Sequence, residues 1–461
     1  MKALSPIALV ALTGCPDRTV AALPPLPTGV ITKGIPTEAD VDLLFVVDNS
    51  PSTKDKQDLF ATNFPNFVTT IDMLFPNGRP NLHMGVVSTT VGTDSDVDEG
   101  STCPKTAPND DGLLQANDAC GVSGRYIIDE AVPNGPRNVN YSGDLASALG
   151  CIAKLGDNGC GFEAPLEAMK RALDGTRTEN MGFVRPGAYL AIVFLTDEDD
   201  CSVKDPSLFS LQNAGPEDFR CQPLVAYDCD TAISPTTPGT YTGCVPRTGS
   251  YLQDTAFYAG FLSTVKDQAH LIVAMIAGDP TSTIMTGSLT IGTHTQTLAL
   301  LPSCHAMIGS DDAIGRPGIR LADFTNQFGD RGLYDTVCQS DYTGTLGAIG
   351  KKIYDAISPC LEGAIDMTDS QPNNPGLQPQ CSVSDVVDAD TPDAVETLIP
   401  TCDMTDPSTP APGGARPCWW IGQDSAACAT ETGLELHVER TTQPPSNDTV
   451  EVSCVVDDGT S

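Results

Sequence analysis

Basic residues are scarce in this chain: of 461 residues, 25 are Lys or Arg against 60 Asp or Glu, a formal charge of −35. So acidic a surface is repelled by phosphate backbones and by anionic lipid headgroups. Nucleic-acid binding is excluded, and any hold on a membrane must be covalent or apolar. Long hydrophobic runs are missing too. Uncharged apolar stretches such as residues 188–195 and 271–278 fall far short of the roughly 20 residues that a spanning helix needs. No transmembrane helix is expected. There is no Cys-x-x-Cys pair, so zinc ribbons and dithiol redox centres drop out. The five histidines, His83, His270, His294, His305 and His437, show no metal spacing and no His-Glu-x-x-His. His83 and His270 fall in apolar runs and read as core residues. Without a Gly-x-Ser-x-Gly elbow or a phosphate loop, serine hydrolysis and nucleotide binding have no support.

What is abundant points elsewhere. Hydrophobic residues make up 40%, enough for a sizeable core, and the length suits about two or three domains. Gly (42) and Pro (37) are frequent enough to imply many long loops. Met1-Lys2, an uncharged stretch over residues 3–12 and then Leu12-Thr13-Gly14-Cys15 make a basic start, an apolar run and a small-residue cut site. This resembles a bacterial lipoprotein signal, which implies removal of residues 1–14 and a lipid on Cys15. Residues 15–38, rich in Pro, Thr and Gly, then read as a flexible tether. Setting Cys15 aside leaves 16 of the 17 cysteines, spread from Cys103 to Cys454. So many structural cysteines suit an oxidising compartment, and up to eight disulfides of unassigned pairing are expected. The protein is expected to be exported and lipid-anchored in a bacterial envelope, at the outer membrane, with the lipid as its sole contact with the bilayer.

From residue 42 onward, short apolar runs at 43–47, 82–88, 189–196 and 270–277 alternate with helical periodicity at 54–72, 164–174, 251–268 and 343–357. Alternation of this kind predicts an α/β fold, a doubly wound and mostly parallel sheet with helices on both faces. Three insertions at 91–140, 201–250 and 279–317 each follow a strand, so all rise at the carboxyl edge, where such sheets bind ligands. Their Gly, Pro, Thr, Asp and Cys content predicts that disulfides hold them in place of an apolar core. Residues 361–461 carry Cys381, Cys402, Cys418, Cys428 and Cys454 and read as a small disulfide-stapled β-rich module. Within it, 434–440 and 449–455 are expected to form a hairpin.

Asp48-Asn49-Ser50-Pro51-Ser52 stands between the first apolar run and the first helix, and Thr196-Asp197 ends another strand. A carboxylate and two hydroxyls on one tight turn suit a hard divalent cation; the same residue types are also ordinary helix caps. Together these segments resemble the metal-ion-dependent adhesion site of von Willebrand factor type A domains, with the likeness covering 39–360 outside the insertions. The resemblance implies Mg²⁺, or Mn²⁺ or Ca²⁺, held by Asp48, Ser50 and Ser52, with Asp197 acting through water, and a protein partner offering an acidic side chain. The family places a Thr on a third loop, where this chain reads Gly161-Phe162-Glu163-Ala164. By spacing Glu163 takes that position, and a one-residue shift would give it to Phe162. Glu163 then either ligates the cation, lowering its residual charge, or caps the following helix.

Other segments are weaker. Asp94 to Gly100 begins like a calcium loop but has Lys105 where a Glu belongs, and reads as solvated. Glu198-Asp199-Asp200 is either a second cation site or charged surface. Trp419-Trp420 beside Cys418 suits packing on a disulfide better than a sugar platform. The expected function is envelope-anchored, cation-dependent adhesion without catalysis. Two alternatives are an envelope scaffold in which the cation is dispensable and a hydrolase with metals roughly 3.5–4 Å apart.

Overall fold

The computed structural model describes residues 30–36, 40–75, 78–94, 103–116, 118–132, 135–210, 220–291, 294–309, 311–361, 363–388, 394–423, 425, 428, 432–442, 444 and 448–456. The principal strands are β1 (Val30–Pro36), β2 (Asp40–Val47), β3 (Asn81–Ser88), β4 (Ile127–Glu130), β5 (Asn138–Val139) and β6 (Tyr189–Leu195). They continue with β7 (Leu271–Ala277), β8 (Gly332–Thr336), β9 (Cys381–Val387), β10 (Val395–Ile399) and β11 (Asp448–Val455). Helices are α1 (Lys54–Leu74), α2 (Leu145–Ile152), α3 (Pro165–Leu173), α4 (Thr255–Val265), α5 (Ile319–Asn326) and α6 (Thr343–Ile357).

Strand β2 explains the layering. Its side chains alternate in direction with the strand's period of two. Val41, Leu43, Phe45 and Val47 meet Phe60, Phe64 and Phe67 of α1, Leu149 of α2 and Ile349 of α6. Leu44 and Val46 meet Met169 of α3, Tyr258 and Leu262 of α4 and Phe324 of α5. A strand apolar on both sides must be covered on both sides, and that is how parallel sheets occur. The ring of Phe45 stands edge-on to Phe60, Phe64 and Phe67, with centroids 5.9, 5.5 and 6.4 Å apart.

The sheet runs β8-β7-β6-β2-β3-β4-β5. Its first five strands are mutually parallel, and β4 and β5 close one edge antiparallel. The expected mixed α/β body with a parallel central sheet is therefore present. Strands β4 and β5 come from the 91–140 segment, so that segment is partly sheet and not wholly an insertion. Three elements have no counterpart in the sequence pattern. The helices α2 and α5 span eight residues each, too short for a periodic signal, and β8 is only half-buried and lacks an apolar run.

From β2 the chain crosses through α1 to β3 on one side, while β6 lies on the other. The ends of β2 and β6 thus flank a topological switch point, and the insertions rise over it. They do have an apolar core, contrary to expectation. Phe162, Leu208, Phe209, Tyr227, Tyr241, Leu252, Ile284 and Leu300 cluster with the bridges Cys103–Cys160, Cys201–Cys221 and Cys229–Cys244. The strand Ile284–Ile291 pairs with Gly239–Tyr241, which joins two insertions in one sheet. Single aromatic and aliphatic residues from distant segments build this core, so no local run announces it.

The C-terminal region contributes a four-stranded antiparallel sheet in the order β1-β11-β9-β10. Two expectations need correction here. Residues 30–36 lie in the span assigned to the tether, yet Val30, Ile31, Thr32 and Ile35 make a β-prone strand that covers the edge of β11. The hairpin expected from 434–440 and 449–455 does not form. Glu435–Glu439 pairs instead with Cys418–Gly422, which carries the buried Trp419, and Trp420 stacks on His437 at 4.8 Å. All 16 cysteines from Cys103 to Cys454 are paired, in eight disulfides. Cys381 and Cys454 stand directly opposite each other on β9 and β11. Cys15 and the rest of the signal and tether lie outside the described residues, as do 95–100 of the calcium-like loop. Among the described residues no helix is long and apolar enough to cross a membrane.

Phe64 is fully buried between Phe45, Phe60 and Phe67. Phe64→Ala should lower the unfolding free energy of the oxidised protein by about 3–5 kcal/mol. Urea unfolding measures it, and a loss below about 1 kcal/mol would mean that this aromatic cluster does not hold α1 to the sheet.

Candidate metal centre

The ladder between β2 and β6 ends where Asp48 N–H donates to the Leu195 carbonyl at 2.9 Å. Beyond it the chain turns sharply, because Asp48 Oδ1 accepts the Ser50 amide at 2.8 Å, a short-range turn typical of Asp. Gln57 holds the turn from below, donating to the Asp48 carbonyl at 2.7 Å and accepting the amides of Leu155 and Gly156. Thr53 Oγ1 donates to the carbonyls of Asp48 and Ser50. The loop is thereby fixed before any ligand arrives.

Four carboxylates converge above this turn. Ser50 Oγ lies 3.3 Å from Ser52 Oγ, and Ser52 Oγ donates to Asp197 Oδ1 at 3.1 Å. Thr196 Oγ1 donates to Asp48 Oδ2 at 2.7 Å, and Thr89 Oγ1 reaches Asp48 Oδ1 at 3.4 Å. Glu163 is 2% exposed, and its Oε2 has no hydrogen-bond partner. Burial first, and then the charges of Glu198, Asp48 and Asp197, push its carboxyl well above the usual range. Burial together with Asp197 pushes Asp48 up to about 6, against hydrogen bonds from Ser50 and Thr196.

Two buried bases answer these acids. Lys56 Nζ lies 3.0 Å from Asp197 Oδ2 and donates to the Ser52 carbonyl. Burial opposes its charge, yet Asp197 and Asp55 hold its ammonium above the ordinary lysine value. Arg316 pairs with Glu198 at 2.6 Å. Counted as ionised, the four acids and two bases leave two negative charges unmatched. A hard divalent cation fits that deficit, the oxygen-only donor set and the orphaned Glu163 oxygen. Among the described residues no group of three or more His, Cys, Asp or Glu forms a metal cage, so a cation here would lean on the hydroxyls of Ser50, Ser52 and Thr89.

Asp48, Ser50, Ser52, Asp197 and Glu163 all lie at this end of the sheet, with Glu163 close enough for its charge to act on Asp48 and Asp197. Phe162 turns away into the insertion core, edge-on to Phe209 at 5.1 Å. Glu163 does not cap α3, because that work is done by the acidic stretch after β6. Asp200 Oδ1 accepts the Leu166 amide at 3.2 Å, and Ser202 Oγ accepts that of Glu167 at 2.9 Å. Asp199 likewise accepts the amides of Arg320 and Leu321 at the start of α5 and the Tyr227 hydroxyl. Arg320, fully buried, pairs with Asp200 at 2.9 Å. The stretch Glu198-Asp199-Asp200, read as either a second cation site or charged surface, is instead buried and bonded to Arg316, Arg320 and two helix starts. Thr89, Lys56 and Arg316 were not anticipated, nor was the bond from Thr196 to Asp48. Thr89 and Thr196 each stand just beyond a central strand, which is the one signal that could have found them.

No protein-family model and no curated protein matches the chain. Solved structures that resemble it include the pilus adhesin SpaC from Lactobacillus rhamnosus GG in its open conformation, at 12% identity and TM-score 0.32, covering 93% of this chain and 41% of that one. Another is the PilB minor pilin from Streptococcus sanguinis, at 13% identity and TM-score 0.28, covering 69% and 62%. A von Willebrand factor type A protein from Catenulispora acidiphila matches at 10% identity and TM-score 0.28, covering 94% and 66%. The chain spans less than two-thirds of each of these three. Superposition at this level fixes neither family nor function.

Asp48 and Asp199 both sit at about 6 in the folded protein, against an ordinary 3.8. Burial is the first cause in each. Between about pH 4 and 6 the folded state therefore keeps protons that the unfolded chain has released, so stability falls as pH rises through this window. The exposed aspartates with lowered pKa, such as Asp144 and Asp341, act below it. In chelator, the melting temperature should rise on acidification from pH 7 to pH 5. Differential scanning calorimetry checks it, and a fall would contradict the assignment.

Proposed function

We propose that this chain is an exported, lipid-anchored binding protein of von Willebrand factor type A kind. A divalent cation, Mg²⁺ or Mn²⁺, would sit at the carboxyl edge of its sheet, where the insertions would engage a protein partner. The observation that carries the reading is the convergence of Asp48, Ser50, Ser52, Thr89, Glu163 and Asp197 at the β2–β6 switch point, with one buried carboxylate oxygen unpartnered. Eight disulfides support an oxidising compartment, and the lipid on Cys15, with placement at the outer membrane, rests on the signal-like start of the sequence. Binding is favoured over hydrolysis because the carboxylates that a second metal would need are bonded to Arg316, Arg320 and helix amides. A partner's acidic side chain would have to enter beside Ser52 and the exposed Pro51, since the other donors are buried.

One observation favours a second reading, an envelope scaffold that needs no cation. Lys56 already satisfies Asp197 from within the chain. Titration calorimetry separates the two. Mg²⁺ and Mn²⁺ should bind the oxidised protein at one saturable site, and Asp48→Ala should weaken binding by at least about 100-fold while the protein stays folded. Absence of binding in the folded wild type would leave the scaffold reading standing.

A further inference from the structure

We propose that the end of the central sheet opposite the candidate metal centre holds a second binding site, for a small organic acid with an apolar body. The site is a cavity of about 670 Å³ between the amino ends of β7 and β8, the last turns of α6 and the strands β1 and β11. Its size lies in the range of ligand pockets.

The wall is positive, in a chain with 25 bases and 60 acids. Lys33, Arg331 and Lys352 line the cavity against Asp330 and Asp355. Elsewhere the arginines end on carboxylates: Arg79 on Asp129, Arg171 on Glu167, Arg185 on Asp42 and Arg320 on Asp200. Arg331 does not. Its buried Nη1 has no hydrogen-bond partner among the described residues, and its guanidinium lies 5.9 Å from the centre of the Tyr189 ring. A buried cationic donor without an acceptor is costly, and an anion is the partner that relieves it best. Lys352 Nζ donates to the Asp330 carbonyl, which puts its ammonium at the peptide bond leading into Arg331. Lys33 Nζ donates to the Cys360 carbonyl at 2.8 Å. Both of these acceptors are neutral. Asp355 is taken by the exposed Lys351, at 2.6 and 2.8 Å, and Asp330 is exposed.

The rest of the wall is apolar. Ile272, Ala356, Leu361, Ile365 and Val452 line it, with Cys454, which is bridged to Cys381. A bare inorganic anion would leave that half of the cavity wet, and a plain hydrocarbon would leave Arg331 unpaired. One carboxylate on an apolar body answers both halves. A carboxylate matches the fork of a guanidinium, and its single charge cancels the excess of three bases over two acids.

Titration calorimetry with octanoate tests this on the oxidised protein, in chelator so that the metal centre plays no part. 1-Octanol supplies the apolar body without the charge, and inorganic phosphate supplies an anion without the body. Octanoate should bind at one saturable site, with octanol and phosphate each at least about tenfold weaker. Arg331→Gln should weaken octanoate by at least about tenfold and Lys352→Gln by at least about threefold. A folded wild type that binds no octanoate would overturn the site, and so would equal affinity in the wild type and both variants. Octanol binding as tightly as octanoate would overturn the acid head, and phosphate doing so would overturn the apolar body. Should Arg331→Gln fail to fold, Lys352→Gln, at a half-exposed position, decides by the same criterion.

Discussion

Asp48, Asp197, Glu163 and Glu198 bury four carboxylates at one end of the sheet, and among the described residues Lys56 and Arg316 are the bases that pair with them. How that excess is neutralised governs the rest of the carboxyl edge. Buried like charges cannot all persist in a low-dielectric setting, so the site must take up protons or a cation. Both answers come from the same geometry, and they compete. Protons satisfy Asp48 and Glu163 one at a time and leave the loops tied by neutral hydrogen bonds. A divalent ion, if one binds, would satisfy several oxygens at once, as protons would not.

The neighbouring acids show what a settled solution looks like. Asp199 and Asp200 are as deeply buried, yet each is spoken for by helix amides, by Tyr227 or by Arg320. They fasten the starts of α3 and α5 to the end of β6. Two acidic groups two and three residues from Asp197 thus do different work from it: they hold helix starts, whereas Asp197 meets Ser52 and Lys56. Glu163 differs from them in that its Oε2 meets no donor among the described residues.

Much of this was legible in the residue pattern. Both-sided apolar runs at 43–47 and 189–196 required covered parallel strands, and a Asp-x-Ser-x-Ser turn after the first placed Asp48, Ser50 and Ser52 at the carboxyl edge. Asp197 followed from the second. What escaped has specific causes. Thr89, Lys56 and Arg316 act through contacts across 41 to 141 residues of chain, and no local spacing encodes a partner so distant. Val30–Pro36 looked like tether because its strand character is satisfied only by β11, at the far end of the sequence. The 434–440 segment was given the wrong partner for a similar reason. Alternation marks a strand but does not say which edge it joins, and the apolar face beside Trp419 outcompeted the nearer one.

The insertions bring the charge problem and the topology together. In a plain doubly wound sheet the switch point lies open to solvent, and water screens a few acids there cheaply. Here Phe162, Leu208, Phe209, Tyr227 and Tyr241 build a second apolar core over it, and that core withdraws the water. The same residues that stabilise the insertions therefore raise the cost of the carboxylates beneath them. Disulfides alone do not resolve this. Cys103–Cys160 and Cys201–Cys221 limit how far the loops can part, chiefly by restricting the unfolded chain, and they bring no charge. Positive charge at the centre, or protons on the carboxylates, relieves the repulsion. Lys56 and Arg316 supply two such charges from within the chain, and the unpartnered oxygen of Glu163 marks where they fall short.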